Sequence, residues 1–117
     1  MGGFDDVPEQ TKTGKIIAVA TLQVKPGKEA RFEELISNAR DAANSDKEPG
    51  TLTYRTNREV DKSGKPTGKY LLFEEYAGKA GFTAHCAQPP LQALLAETDI
   101  IASMNLDYAE GKPVIYQ

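Results

Sequence analysis

The chain is poor in the residues that ligate metals and cross-link secreted folds: its 117 residues include one cysteine and one histidine. One cysteine closes no internal disulfide, and with one histidine it falls short of a zinc site built from such ligands. A reducing, cytoplasmic setting and no bound metal are therefore expected. Long apolar runs are also missing. The first fifteen residues carry Gly2, Gly3, Asp5, Asp6, Pro8 and Glu9 where a secretory signal or a membrane span would place apolar side chains. Gly2 raises the question of myristoylation, but Asp6 stands where that signal requires Ser or Thr. Nor is there an excess of basic residues. Fourteen Lys and Arg against seventeen Asp and Glu give a net charge of -3, which offers no electrostatic footprint for nucleic acid or an anionic membrane. No glycine-rich loop follows a strand, so nothing cradles the phosphates of a nucleotide or flavin, and no cofactor is expected.

What is present is one domain of alternating elements without repeats. Ile16 to Val24 is apolar at nearly every position, the pattern of a strand covered on both faces, and Lys25-Pro26-Gly27 stops it. Between Lys28 and Ala43, the residues Phe32, Leu35, Ile36, Ala39 and Ala43 recur at helical spacing. Glu48-Pro49-Gly50 turns the chain into a strand rich in Thr, Tyr and Val, from Thr51 to Val60. The polar turn from Asp61 to Gly68 leads into Lys69 to Tyr76, and the two strands make a hairpin. A helix from Gly78 to His85, a shorter one from Pro90 to Glu97 and a strand from Ile100 to Leu106 complete the domain. Residues 1–14 are expected to be a flexible polar leader, 15–109 the folded unit, and 110–117 a tail whose apolar residues around Val114 to Tyr116 cross to a partner.

The order strand, helix, strand, strand, helix, strand is the split βαβ of a ferredoxin-like α+β fold, with an antiparallel sheet carrying helices on one face. The apolar character of Ile16 to Val24 implies that the opposite face is also covered. With no further elements in the chain, the natural cover is a second copy, so a homodimer with sheets packed face to face is expected.

Chemistry points first to the stretch Ala84-His85-Cys86-Ala87-Gln88-Pro89-Pro90-Leu91, which holds both singleton residues. His85 is the one side chain whose ordinary titration lies near neutrality, and it is either an acid/base group or a hydrogen-bonding residue of the helix end. Cys86 points about 100° away from it around the helix and reads as a small buried filler.

Five runs together carry a resemblance: Val24-Lys25-Pro26-Gly27-Lys28-Glu29, Phe32-Glu33-Glu34-Leu35, Glu48-Pro49-Gly50-Thr51-Leu52-Thr53-Tyr54, Phe73-Glu74-Glu75-Tyr76, and Ala84-His85 followed by Pro89, Leu91 and Leu94. In order and spacing, over roughly residues 15 to 96, they resemble the antibiotic biosynthesis monooxygenase domain. That resemblance implies a dimeric α+β barrel of ferredoxin-like subunits. It also implies, in many members, a cofactor-independent monooxygenase acting on a quinol, an anthrone or a related polycyclic phenol. The family equally contains non-redox members, namely isomerases and cyclases, and small-molecule-binding proteins without activity. The absence of tryptophan argues against haem degradation, and Pro90 stands where the family often has an aromatic residue or histidine.

Oxidation of a phenol by dioxygen without a cofactor requires a base, donors to the resulting oxyanion, and an apolar cavity. His85 is the candidate base or proton shuttle. Glu74, which matches the family's Glu-x-aromatic position, is the second candidate catalytic group and orients either His85 or a tyrosine. Tyr54, Tyr70 and Tyr76 are candidate substrate-binding residues, for a small aromatic or apolar substrate. Strand alternation puts Leu52 on the face of Tyr54, and Tyr70, Leu72, Glu74 and Tyr76 together on another. Arg55 and Asn57 face the interface or solvent, and Glu75 faces out or across the dimer.

Overall fold

The computed structural model describes residues 2–110 of the chain. Among them four strands and three helices follow in the order β1 (Ile16–Val24), α1 (Glu29–Ala43), β2 (Thr51–Val60), β3 (Pro66–Tyr76), α2 (Gly78–Cys86), α3 (Pro89–Ala96) and β4 (Ile101–Glu110). The strands bond in the order β2-β3-β1-β4, every neighbouring pair antiparallel. This is the ferredoxin-like split βαβ that the alternation of patterns predicts. The tail beyond residue 110 lies outside the described residues. No described helix is long and apolar enough to cross a membrane.

Alternation along the strands and helical spacing in α1 build one core between them. Ile16, Ala18, Ala20, Leu22 and Val24 turn to the helices and are buried, as are Phe32, Leu35, Ile36, Ala39 and Ala43 of α1. Each large side chain removed from water contributes about 1.5–3 kcal/mol before the entropy of ordering it is counted. Helix α2 stops where Pro89 and Pro90 begin α3. A proline at the first helical positions forfeits only amides that would lack a partner there.

The far face of the sheet, where a second copy is expected to lie, is open within the single chain. Within the chain β1 is covered on one face only, and Val19, Leu71 and Phe73 are 36%, 39% and 40% exposed on the other. The strand register aligns Arg55, Phe73, Val19 and Asp107 in one row across that face, an apolar pair flanked by opposite charges. Leu52 departs from expectation. The pairing shifts register between Thr51 and Thr53, so Leu52 is not on the buried side with Tyr54 and is 46% exposed.

The segment expected to be a flexible leader lies along β4. The Gly2 amide donates to Asn105 Oδ1 at 2.7 Å, Leu106 donates its amide to the Gly2 carbonyl at 3.0 Å, and the Tyr108 hydroxyl donates to the Gly3 carbonyl at 2.8 Å. A 3-10 turn at Phe4–Asp6 then sets the Phe4 ring 6.2 Å from that of Phe82. Sequence polarity missed this because the attachment is made by backbone groups, which composition does not register.

Gly50 and Gly81 touch backbone to backbone. A Cβ on Gly81 would stand 2.4 Å from the Gly50 carbonyl oxygen, and one on Gly50 would stand 2.7 Å from the Gly81 Cα. Only two glycines permit the β2 turn and α2 to approach this closely. Gly81→Ala is expected to destabilise the fold by about 1–3 kcal/mol, the range for overpacking a rigid contact, read as a lowered urea midpoint at unchanged slope.

Candidate functional site

The Gly50–Gly81 contact sets a buried pair of titratable side chains beside one another. Glu48 opens the Glu48-Pro49-Gly50 turn, which Thr51 closes by donating its amide to the Glu48 carbonyl at 3.1 Å. His85 lies one helical turn beyond Gly81. Its Nδ1 is 2.7 Å from Glu48 Oε1, with Glu48 3% and His85 2% exposed. The Thr51 hydroxyl donates to the same oxygen at 3.0 Å, while Glu48 Oε2 is buried with no partner among the described residues. A carboxylate accepting at Nδ1 fixes the neutral ring as the Nδ1–H tautomer, leaving the lone pair on Nε2.

Glu74 is the second buried carboxyl, 5% exposed on the helix face of β3. The Tyr76 hydroxyl, two residues along the same face, donates to its Oε1. Burial drives the Glu74 carboxyl up to about 7, with the charge of Glu48 adding to the rise and the Tyr76 hydrogen bond opposing it. Tyr54 sits directly across from Glu74 in the sheet, its ring 4.8 Å from that of His85. Burial, followed by the nearby Glu74 and Glu48 charges, holds the Tyr54 phenol well above its usual range. It stays a protonated donor at any working pH. Tyr76 closes the cluster, 5.7 Å from the His85 ring and edge-on to Phe82 at 5.4 Å.

Tyr54, Glu74 and His85 of this cluster border an apolar cavity between sheet and helices. Ala20, Leu22, Leu72, Leu91, Leu94 and Leu106 supply much of its wall, and Tyr54, Glu74 and His85 supply the polar atoms. The space is small, about 30 Å³, room for one or two water molecules. Cys86 also lines it, and burial pushes its thiol up to about 12, which keeps it protonated and a poor nucleophile. No group of three or more His, Cys, Asp or Glu placed to hold a metal occurs among the described residues.

Of the residues singled out from sequence, His85, Glu74, Tyr54 and Tyr76 come together. Tyr70 does not join them. Its ring packs on Phe32 at 4.5 Å and its hydroxyl donates to Glu33, so it faces a separate polar groove with Arg40, Thr56 and Arg58. The parity that grouped Tyr70 with Glu74 is correct, but they stand four residues apart, about 13 Å along the strand, and the Tyr70 side chain is drawn to Phe32 and Glu33 of α1. Glu74 bonds to a tyrosine and not to His85. The partner of His85 is Glu48, whose only sequence signal was a turn and whose burial follows from a contact between distant glycines.

The sign of the Glu74 shift predicts a pH effect on stability. Between pH 4.5 and 7 the unfolded chain releases this proton while the folded one keeps it, so stability falls as pH rises across that window and levels off above it. Glu74→Gln removes the titration and still accepts from Tyr76. Above pH 7 the variant should be more stable than wild type by about 3 kcal/mol, with the difference vanishing near pH 4, in urea titrations across pH.

Comparison with known proteins agrees with this architecture. A candidate antibiotic biosynthesis monooxygenase from Caulobacter crescentus superposes with a TM-score of 0.72 at 26% identity, over 86% of this chain and 92% of that one. Another from Nitrosomonas europaea gives a TM-score of 0.73 at 18% identity, over 84% and 90%. A conserved protein from Methanosarcina mazei gives 0.69 at 20%, over 84% and 93%. No curated protein matches the sequence. The family model for antibiotic biosynthesis monooxygenases matches residues 15–97, a stretch that contains Glu48, Tyr54, Glu74, Tyr76 and His85. The chain belongs to the antibiotic biosynthesis monooxygenase family.

Proposed function

We propose that the protein is a cofactor-independent monooxygenase acting on a quinol, an anthrone or a related phenol. The observation that supports this most is a convergence of unpaired polar atoms. His85 Nε2, the second oxygen of Glu74 and the Tyr54 hydroxyl each lack a hydrogen-bond partner among the described residues, and all three side chains border one apolar cavity. Only Glu48 Oε2 is sealed from solvent without a partner among the described residues, so these three atoms meet the water of the cavity, and an oxygenated ligand that displaced this water would take up the same hydrogen bonds.

For an anthrone the steps balance as follows. His85 Nε2 takes a proton from the ring CH₂ beside the carbonyl, and Glu48 steadies the imidazolium through Nδ1–H. Tyr54 donates to the oxygen on which negative charge develops. The anion passes one electron to dioxygen, the resulting radical pair joins through a C–O bond, and the peroxide takes up a proton. His85, having returned its first proton to the peroxide, takes the second ring proton as the O–O bond breaks, while Glu74, close to half-protonated at neutral pH, protonates the departing oxygen, so that water leaves, a carbonyl remains and His85 passes its proton back to Glu74. One oxygen atom enters the substrate and one leaves as water. The substrate is the sole reductant.

The small volume of the cavity keeps a second reading, a non-redox isomerase or a small-molecule-binding protein; in the isomerase the same base and acid would move a proton without dioxygen. Oxygen uptake on a panel of anthrones and hydroquinones separates the two. Uptake with one of them is expected, and none across the panel would leave the second reading. With an active substrate, His85→Ala should lower turnover by about two to four orders of magnitude, and Tyr54→Phe by less, since other donors remain. Equal melting temperatures are required for the comparison. Unchanged turnover in His85→Ala would remove it as the base.

We also propose that the subunit works as a cytoplasmic homodimer, two copies covering each other's open sheet face. Support comes from the uncovered Val19, Leu71 and Phe73, which form one apolar patch on the central strands. Phe73→Glu sets a charge in that patch and should convert the dimer to a folded monomer at micromolar concentration in sedimentation equilibrium. A wild-type mass of one subunit would contradict the proposal.

A further inference from the structure

A cavity of about 30 Å³ holds water but no aromatic ring, so a ligand enters only if a wall moves. Three of the walls are fixed. β1 and β3 form the floor, each hydrogen-bonded on both sides, and α1 and α3 are locked by the core cluster of Phe32, Leu35, Leu91 and Leu94. Phe82 is buried in α2 and wedged edge-on against both Tyr76 and Tyr108.

Leu95 of α3 and Ile101, Met104 and Leu106 of β4, a strand paired to β1 along its length, line a further side, and the remaining wall is Phe4. Its ring borders the internal cavity on one side and, on the other, a surface groove of about 260 Å³ bounded by Asp5, Val7, Lys79 and Thr83. Phe4, Phe82 and Cys86 line both spaces, so these three side chains are the partition between them. Of the three, Phe4 alone stands outside the helices and the sheet. It is only partly buried, and behind it the chain is tied to β4 by the bonds of Gly2 and Gly3 to Asn105, Leu106 and Tyr108. Without the Phe4 ring between them, cavity and groove join into a space at the low end of small-molecule sites, about 300 Å³.

We propose that Phe4 is the admitting and size-selecting residue of the site: a flat phenol enters from the groove beside Phe82 by displacing the Phe4 ring, while Gly2 and Gly3 act as the latch. The inference rests on the proposed function for the chemistry of the ligand alone. Gly2 is built into the latch, since a Cβ there would stand 1.8 Å from the Leu106 carbonyl oxygen and would drive the segment off β4.

Cys86, the single thiol of the chain, is a half-buried member of the partition beside Phe4, so its labelling rate reports how far the Phe4 ring covers it. Labelling by N-ethylmaleimide under native conditions is expected to be slow in wild type and at least about tenfold faster in Phe4→Ala and in Gly2→Ala. A tenfold change corresponds to a decade in the opening equilibrium, within reach of one docked aromatic ring. Labelling of wild type should be nearly independent of low urea concentrations, because lifting a short segment exposes little surface. Saturating 1-naphthol should slow labelling in both variants. Rates in the folded variants equal to wild type, a steep urea dependence that tracks global unfolding, or no protection by 1-naphthol would each overturn the proposal. The enzyme reading fails separately: Phe4-dependent labelling without oxygen uptake keeps the gate and removes the oxygenase, and uptake with Phe4-independent labelling does the reverse.

Discussion

Glu48 and His85 are the pair around which the rest of the site is arranged. A carboxylate and an imidazole taken out of water together are tolerable only when each answers the other, and removing one partner of such a pair costs about 3–5 kcal/mol through the group left behind. Here the answer is a single bond from Nδ1 to one carboxylate oxygen, reinforced by Thr51. The pair exists because Gly50 and Gly81 let a turn and a helix meet at backbone distance. The same approach brings the His85 ring between Tyr54 and Tyr76, so the aromatic wall and the titratable pair are products of one contact.

Glu74 shows how the sheet tunes a carboxyl without a cation. Its neighbours are Tyr54 across the strand pair, Tyr76 along its own strand, and the Glu48 carboxylate, and no lysine or arginine among the described residues bonds to it. Desolvation therefore prevails over the single hydrogen bond, and the group rests near neutrality, where it can give or take a proton. Tyr54 and Tyr76 are held in the protonated form by the same burial. The two carboxyls thus have different surroundings: Glu48 is engaged with a basic ring, and Glu74 with a phenol.

The sheet has two unlike faces. The helix face carries the core and the cavity. The open face carries an apolar patch bordered by Arg55 and Asp107, with the Thr53 hydroxyl bonded to Glu75 beside it. Because side chains alternate along β3, Glu74 and Phe73 are neighbours in sequence and lie on opposite sides of the sheet. The N-terminal segment adds a third partition, a strip of backbone bonds along β4 that sets one aromatic ring at the end of the cavity.

The periodicities of the chain alone specify the elements and their order, because apolar spacing of two and of 3.6 residues is a local property that burial enforces one segment at a time. They also place Glu74 and Tyr54 on the buried face, and five short runs in register carry the family. Local pattern does not carry what depends on two distant backbones touching. The partner of His85 is Glu48 because Gly50 meets Gly81, Tyr70 belongs to another groove because Phe32 and Glu33 of α1 take up its ring and hydroxyl, and Leu52 turns outward at a shift in pairing. The polar leader lies along β4 because amides and carbonyls find partners there whatever their side chains. Sequence determines which faces are apolar; only the tertiary structure decides which polar atoms inside them meet, since that is a matter of distances below 3 Å set by the packing of whole elements.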